Sequence, residues 1–407
     1  MDIYTADGRC IKPPYYIFNY DTMEEDYLRM YQAFSSLYDR CIIAYSYKAN
    51  YVPYLCRAMH SFGAYAEVVS GLEYDLARRL IGDASRIIFN GPVKSYSELR
   101  TALSRGSMVN LDSFYEIDYL RQYCRKNPHK EVSIGVRANF AMPKARGLRV
   151  GTSRFGFCME NGDLQQAVSR LHDIPNVKIL CLHSHYSSQS RSKYIFQDIT
   201  ARLCEIAVRY LPGEVQYIDI GGNFGRAPRE MTTMQFPSFE EYAEIIINEL
   251  KKFVNSSFHP YLIVEPGISL VGQAFDFVCN VIEVKKIRTR QFVVVDGSVH
   301  NIKPTMHRFN LPAQVISPDG NVKDGSKYIY QVVGYTCMEA DYLLRNFACS
   351  EVKRGDFFLF RNVGAYTVVL NPPFIRPHPP ILVKKNHSYK VIRKAETFRD
   401  FFATYAL

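Results

Sequence analysis

Residues 42–50 read Ile-Ile-Ala-Tyr-Ser-Tyr-Lys-Ala-Asn, a short, mostly apolar run that stops at a lysine, an alanine and an asparagine. A run of this length, rich in β-branched and aromatic residues, predicts a buried strand. The same texture returns along the chain. Tyr65 to Val69, Arg86 to Phe89, Met108 to Leu111, Val132 to Val136, Val177 to Leu182, Val215 to Ile220 and Tyr261 to Val264 also end in polar or glycine residues, making eight runs with Ile42 to Tyr47. Between most of them lie amphipathic stretches long enough for crossover helices: Val52 to Phe62, Ser95 to Ser104, Ser113 to Cys124, Tyr194 to Tyr210 and Phe239 to Phe253. Eight alternations of strand and helix predict a parallel (β/α)8 TIM barrel rather than a sandwich.

Beyond residue 270 the texture changes to β-branched and aromatic runs (Phe275 to Val284, Gln291 to Val295, Tyr328 to Val333, Asp356 to Phe360, Tyr366 to Leu370) separated by Gly, Pro and Asn. This predicts a C-terminal, mostly antiparallel β domain, joined by the extended segment Pro13 to Asn19. The 407 residues then form an α/β chain with a barrel over 23–270 and a β domain from 1–22 and 271–407. Hydrophobic residues at 47%, aromatics at 14% and charged residues at 22% exclude a disordered, collagen-like or disulfide-scaffold chain. No apolar run reaches the roughly 18 to 20 residues of a membrane helix. The opening MDIYTADGRC lacks the apolar stretch of a signal peptide, so a cytoplasmic location is expected. Ten cysteines, none spaced C-x-x-C, read as reduced thiols. The +10 charge is scattered, and its densest clusters, Arg125 to Lys130 and Lys384 to Lys394, lack the aromatic-glycine signature of an RNA-binding sheet. Neither nucleic acid nor a membrane is expected as a partner.

In a parallel barrel, chemistry gathers at the C-terminal strand ends. Lys48, after the first run, reads either as a partly desolvated Schiff-base lysine with a lowered pKa or as a lysine reaching to solvent. Asp219 to Gly225, Asp-Ile-Gly-Gly-Asn-Phe-Gly, reads as a phosphate-binding turn or as a tight turn needing glycine. Glu265, before Pro266-Gly267, suits a cationic ring nitrogen or a structural salt bridge. His183 and His185, two apart, share one face of a strand and fit ring stacking, a core histidine or a metal, although acidic co-ligands are not evident and no metal is expected. Cys337, in the loop from Val333 to Asp341, reads as a structural thiol or a reactive one.

Taken in order, these segments resemble the PLP-dependent fold III decarboxylases, the group of diaminopimelate, ornithine and arginine decarboxylases with an alanine-racemase-like barrel. The likeness rests on Ala44 to Asn50, Ala66 to Ser70 (with Glu67 where the family has aspartate), Asn90 to Lys94, Ser153 to Gly156 and His183 to Ser188. It continues through Gly221-Gly222-Asn223, Glu265-Pro266-Gly267, Cys337 to Asp341, Gly364-Ala365-Tyr366 and Arg393 to Thr397. The resemblance implies pyridoxal 5'-phosphate held covalently by Lys48, with His185 stacked on its ring and Arg137 supporting the site. It implies a phosphate held by Ser188, Gly221, Gly222, Asn223, Gly267 and Tyr366, and a ring nitrogen kept protonated by Glu265. Cys337, supplied from the second subunit of a homodimer, would reprotonate Cα.

Departures fall mainly on substrate recognition. Ile268 replaces the arginine that binds phosphate in the family, for which Arg154 is a candidate substitute. Met338 replaces the acid that reads a distal ammonium, and Lys303 and His307 replace the arginine and tyrosine of a substrate-carboxylate segment. These substitutions imply a decarboxylase for an unusual amino acid or conjugate, as in the family's siderophore or antibiotic pathways. The alternative is a standard diaminopimelate or basic-amino-acid decarboxylase with Glu339 as the missing acid. A racemase, a catalytically inactive regulator that kept the fold, and a metal-dependent hydrolase using His183 and His185 rank behind both.

Overall fold

The computed structural model describes residues 1–142, 152–188, 190–226 and 235–406. The chain divides into two compact units, one running from Asp26 to Ser269, the other comprising Met1–Glu25 and everything from Leu270 onward.

The first unit is a closed barrel. Its strands are β1 (Cys41–Ser46), β2 (Tyr65–Val68), β3 (Ile87–Phe89), β4 (Met108–Leu111), β5 (Val132–Asn139), β6 (Val177–His183), β7 (Tyr217–Asp219) and β8 (Tyr261–Val264). Each pairs in parallel with its sequence neighbour, β8 pairs with β1, and the ring is closed. Alternate side chains point inward, and Ala44, Ile88 and Ile263 form a buried layer with Ile42, Tyr65, Met108 and Tyr217 packed against it. The crossover helices start where Ser-x-x-Glu boxes satisfy their first free N–H groups, at Ser95/Glu98, Ser113/Glu116 and Ser238/Glu241. These caps fix where each strand-to-helix loop ends, and with it the barrel mouth.

The second unit is mostly sheet, as expected. Phe275–Ile287 is its spine, antiparallel to Tyr15–Asn19, Arg290–Val295 and Phe357–Phe360. Two pairings are parallel: Tyr15–Asn19 with Ile381–Lys385, and Arg290–Val295 with Tyr328–Val333. Ile3, Tyr15, Ile17, Val278, Ile316, Phe357, Leu359 and Leu382 make its core. One expected strand is absent. Tyr366 to Leu370 forms bends and a turn, because Tyr366 takes a left-handed φ of 53° that ends extended backbone. Among the described residues no helix is long and apolar enough to cross a membrane.

Candidate active site

Lys48 follows β1 in a single 3-10 turn, Tyr47–Ala49, that lifts its side chain out of the strand. Its amine lies 2.6 Å from Glu67 Oε2 on β2, with the lysine side chain 36% exposed and the glutamate side chain fully buried. Ser46 Oγ donates to the same carboxylate oxygen at 2.5 Å. Asn90, just past β3, donates from Nδ2 to Glu67 Oε1 at 3.1 Å and to Glu265 Oε1 at 2.6 Å. Asn110 on β4 donates to Asn90 Oδ1 at 2.8 Å. Five consecutive units of the barrel wall thus feed one buried polar network, counting β8, which carries Glu265 at its end.

On the other side of Glu265 lie His183, whose Nε2 is 3.7 Å from Glu265 Oε2, and Asp219 at the end of β7. All three are buried, and their ligating atoms lie within 4.8 Å of one another. Burial pushes the Asp219 carboxyl well up, helped by the neighbouring Glu265. Burial alone would raise Glu265 too, but His183 and Lys48 carry it far below the usual carboxylate range. The proton of this pair sits on Asp219, and Glu265 is the anion.

His185 lies beyond the end of β6, so it and His183 do not share a strand face as expected. Burial, with the Lys48 charge second, pushes its imidazole down to about 3, so the ring is neutral. Its Nδ1 accepts the Gly222 N–H at 2.9 Å, which leaves the proton on Nε2. The glycine turn is correspondingly tight. Gly221 has a φ of +68°, and a Cβ there would stand 2.6 Å from His185 Nδ1, while one on Gly222 would stand 2.1 Å from the Glu265 carbonyl oxygen. Gly221 N–H is taken by Asp219 Oδ1 at 3.0 Å. The Asn223 side chain ties the turn to the Ser188 carbonyl at 3.0 Å. Gly267 closes on the turn after β1, where a Cβ would meet that of Ala49 at 2.8 Å. Arg137, inside β5 rather than past it, pairs with Asp112 at 3.3 Å and lies over the Phe155 ring at 4.6 Å. Arg154 is exposed and lies over the same ring, 4.3 Å from the Phe155 centroid. Ile268 opens the short helix Ile268–Val271.

The remaining expected residues belong to the sheet unit. Cys337 is exposed. Its loop is held by buried Asp341, which accepts from Val299 N at 2.7 Å and from Thr336 Oγ1 at 2.6 Å. Met338 is half-buried and Glu339 exposed. Lys303 is 3% exposed, and burial with the nearby Arg345 charge brings its ammonium down to about 8. His307 stacks flat on Phe309 with centroids 3.5 Å apart, and Tyr366 is exposed.

The barrel-mouth residues fit pyridoxal phosphate. A reachable amine, a buried carboxylate anion and a neutral imidazole converge, while both ring nitrogens of His183 and Asp219 Oδ2 are buried with no partner at hydrogen-bond distance among the described residues. Such orphans mark a site made for something beyond the chain itself. Sequence reasoning assigns no separate role to Glu67, Asn90 or Asn110, although Glu67 and Asn90 lie in segments that carry the family resemblance, and it includes Asp219 only as the first residue of the glycine turn. The signal for Glu67 and Asn110 is a polar residue inside an apolar run, and for Asn90 and Asp219 one at its end.

Comparison with known proteins agrees. The family described as "Pyridoxal-dependent decarboxylase, pyridoxal binding domain" matches residues 23–272. The diaminopimelate decarboxylase of Bacillus subtilis is 29% identical over 404 residues, covering 95% of this chain and 90% of that one. That of Aquifex aeolicus is 26% identical, with 95% and 90% covered. A crystal structure of the M. jannaschii diaminopimelate decarboxylase with L-lysine shares the fold, with a TM-score of 0.88 at 23% identity over 99% of this chain and 97% of that one. The match spans the barrel that carries Lys48, His185 and Glu265, so the chain belongs to the pyridoxal-dependent decarboxylase family and is a PLP-dependent amino-acid decarboxylase.

Proposed function

We propose that the chain removes CO₂ from the α-carbon of a diaminopimelate-type amino acid, as a cytoplasmic homodimer. The observation that carries the substrate is the run of relatives: diaminopimelate decarboxylases from Aquifex to Neisseria align over 95–97% of the chain. They favour this alternative over a specialised conjugate. In this reading residues 23–270 form the cofactor-binding domain.

Lys48 holds the cofactor through its amine, with Glu67 orienting it. Bound there, pyridoxal phosphate supplies an electron sink for the pair left on Cα when CO₂ departs. Glu265 keeps the ring nitrogen protonated by remaining an anion. His185, neutral and fixed by Gly222, offers its flat face to the ring, and Arg137 with Asp112 braces the wall beside it. The phosphate falls to Ser188, the Gly221-Gly222-Asn223 turn and Gly267. Because Gly221 and Gly222 N–H groups already serve Asp219 and His185, the donors of that turn are those of Asn223 and Phe224, which have no acceptor among the described residues. Cys337 Sγ, from the partner subunit, delivers a proton to Cα.

At the distal end, Glu339 accepts the ammonium that Met338 cannot. Lys303 takes the distal carboxylate, with His307 beside it. Lysine and ornithine lack that carboxylate, so the chain should prefer meso-diaminopimelate. The preference has a pH signature. Lys303 titrates at about 8, so its charge is present below that pH and lost above it. The ratio of kcat/KM for diaminopimelate over lysine should therefore fall as pH rises through that value. Met338→Glu should raise kcat/KM for lysine on the order of ten- to a hundredfold, the worth of one charged hydrogen bond. CO₂ release measured across diaminopimelate, lysine, ornithine and carboxylate-rich conjugates decides the matter. Turnover of a conjugate with none of diaminopimelate would overturn the substrate assignment.

A further inference from the structure

We propose that Asn90 is a positioning residue for the cofactor: one side-chain amide holds both carboxylates of the barrel mouth in place, Glu67 toward Lys48 and Glu265 toward the ring nitrogen. The inference rests on the reading of Glu265 given above.

The amide of Asn90 has two hydrogens, and both are spent on anionic acceptors, at 3.1 Å on Glu67 Oε1 and 2.6 Å on Glu265 Oε1. Glu67 has other donors, Ser46 Oγ and the Lys48 amine. On its other side Glu265 faces His183, whose Nε2 stands off at 3.7 Å from Oε2, and the protonated Asp219 carboxyl, while Asn90 makes the short bond to Oε1. Asn90 therefore anchors Glu265 Oε1 and fixes the carboxylate in rotation, while His183 and Lys48 hold its charge. Its own orientation is set from behind, since Asn110 Nδ2 donates to Asn90 Oδ1 at 2.8 Å, which forces the NH₂ group to face the two glutamates. Asn110 is in turn locked. Its carbonyl receives the buried Lys94 amine at 3.0 Å, and its amide fills the space where a Cβ on Gly135 would come within 1.8 Å.

Every member is sealed from water: Asn90 is 4% exposed, Asn110 1%, Glu67 1% and Glu265 4%. In such surroundings two carboxylates that share a donor repel strongly once the donor is gone, and one of them takes a proton. The charged and titratable groups facing Glu265 are Lys48 after β1, Glu67 on β2, Arg137 on β5, Cys181, His183 and His185 at β6, and Asp219 on β7. None of these bridges Glu67 and Glu265 as the Asn90 amide does. Asn90 touches neither substrate nor cofactor in this account; it acts through Glu265 and Glu67.

The test uses full-length protein loaded with pyridoxal phosphate and reads the cofactor rather than turnover. Asn90→Asp has the same shape but no donor and an added negative charge, and Asn90→Ala removes the donor alone. Both raise the proton affinity of the acid pair. The pH midpoint of the bound cofactor's visible absorption should move upward, more in Asn90→Asp, and pyridoxal phosphate affinity should fall on the order of ten- to a hundredfold. Borohydride should still attach the cofactor to Lys48. Asn110→Ala, which loosens Asn90 without touching either glutamate, should shift the midpoint in the same direction by less. Variants that fold and titrate with the wild-type midpoint and affinity would overturn the inference while leaving the cofactor site intact. A wild type that takes no cofactor on Lys48 would instead overturn the reading of the site on which the inference rests.

Discussion

Lys48→Ala should lose turnover by about 10³-fold or more while staying folded, since a covalently acting amine has no substitute among its neighbours. The fold should survive because Glu67, stripped of its ammonium, still accepts from Ser46 at 2.5 Å and Asn90 at 3.1 Å. Lys48→Arg separates the two things this lysine brings. A guanidinium keeps the positive charge beside Glu67 but cannot take up the cofactor as an amine does. If charge alone mattered, Lys48→Arg would retain activity within about tenfold; the account predicts a loss as severe as that of Lys48→Ala. Single-turnover CO₂ release on the reconstituted variants measures the difference.

The largest stability effect should come from a residue that touches no ligand. Lys94 has a fully buried side chain whose amine donates to Glu116 Oε1 at 2.7 Å, the Gly91 carbonyl at 2.8 Å and the Asn110 carbonyl at 3.0 Å. Glu116 in turn receives the Asp112 and Ser113 N–H groups that begin the helix Phe114–Lys126. Lys94→Met would leave an anion and two carbonyls buried without their donor, a change worth about 3–5 kcal/mol. Adding Glu116→Leu removes the stranded charge, so the double variant should recover part of that loss despite being further from the native sequence. Urea unfolding of the wild type, both single variants and the double variant closes the cycle. A Lys94→Met cost below about 1 kcal/mol, or losses that simply add, would show that the pair does not hold the ends of β3 and β4 together.

The barrel was legible because each strand is a short apolar run with an abrupt polar end. A side chain that leaves a parallel strand at its C-terminus must be polar to meet the mouth, so the run and its terminator carry both the fold and the site. Lys48 and Glu265 stand at strand ends in that way, and His185 two residues past the end of β6. The same logic failed where polarity has an ordinary explanation. Asn90 looks like a turn residue in a linear reading, since asparagine favours turns, and Asn110 like a lone polar residue inside a strand. Only the alignment of β2, β3, β4 and β8 around one ring turns them into a bridge between two acids. The sheet unit was read less well for a related reason. Lys384 to Lys394 appeared as a basic cluster but folds as the hairpin Ile381–Lys385 with Ser388–Arg393, closed by Asn386 and His387 at φ of 47° and 62°. Charges on solvent-facing positions hide the alternation, and a histidine at positive φ is not a turn signal a sequence reader looks for. Tyr366 erred in the opposite direction, an aromatic in a β-like run whose backbone turns left-handed.

The central claim is that the amine of Lys48, among the lysines of this chain, carries the cofactor at the mouth of a barrel whose buried acid is Glu265. Borohydride reduction of pyridoxal phosphate-loaded protein followed by peptide mapping tests it most directly. The account predicts a single modified peptide, the one containing Ala44 to Asn50, with the reduced cofactor on Lys48. Label on another lysine, or none on the loaded protein, would contradict it.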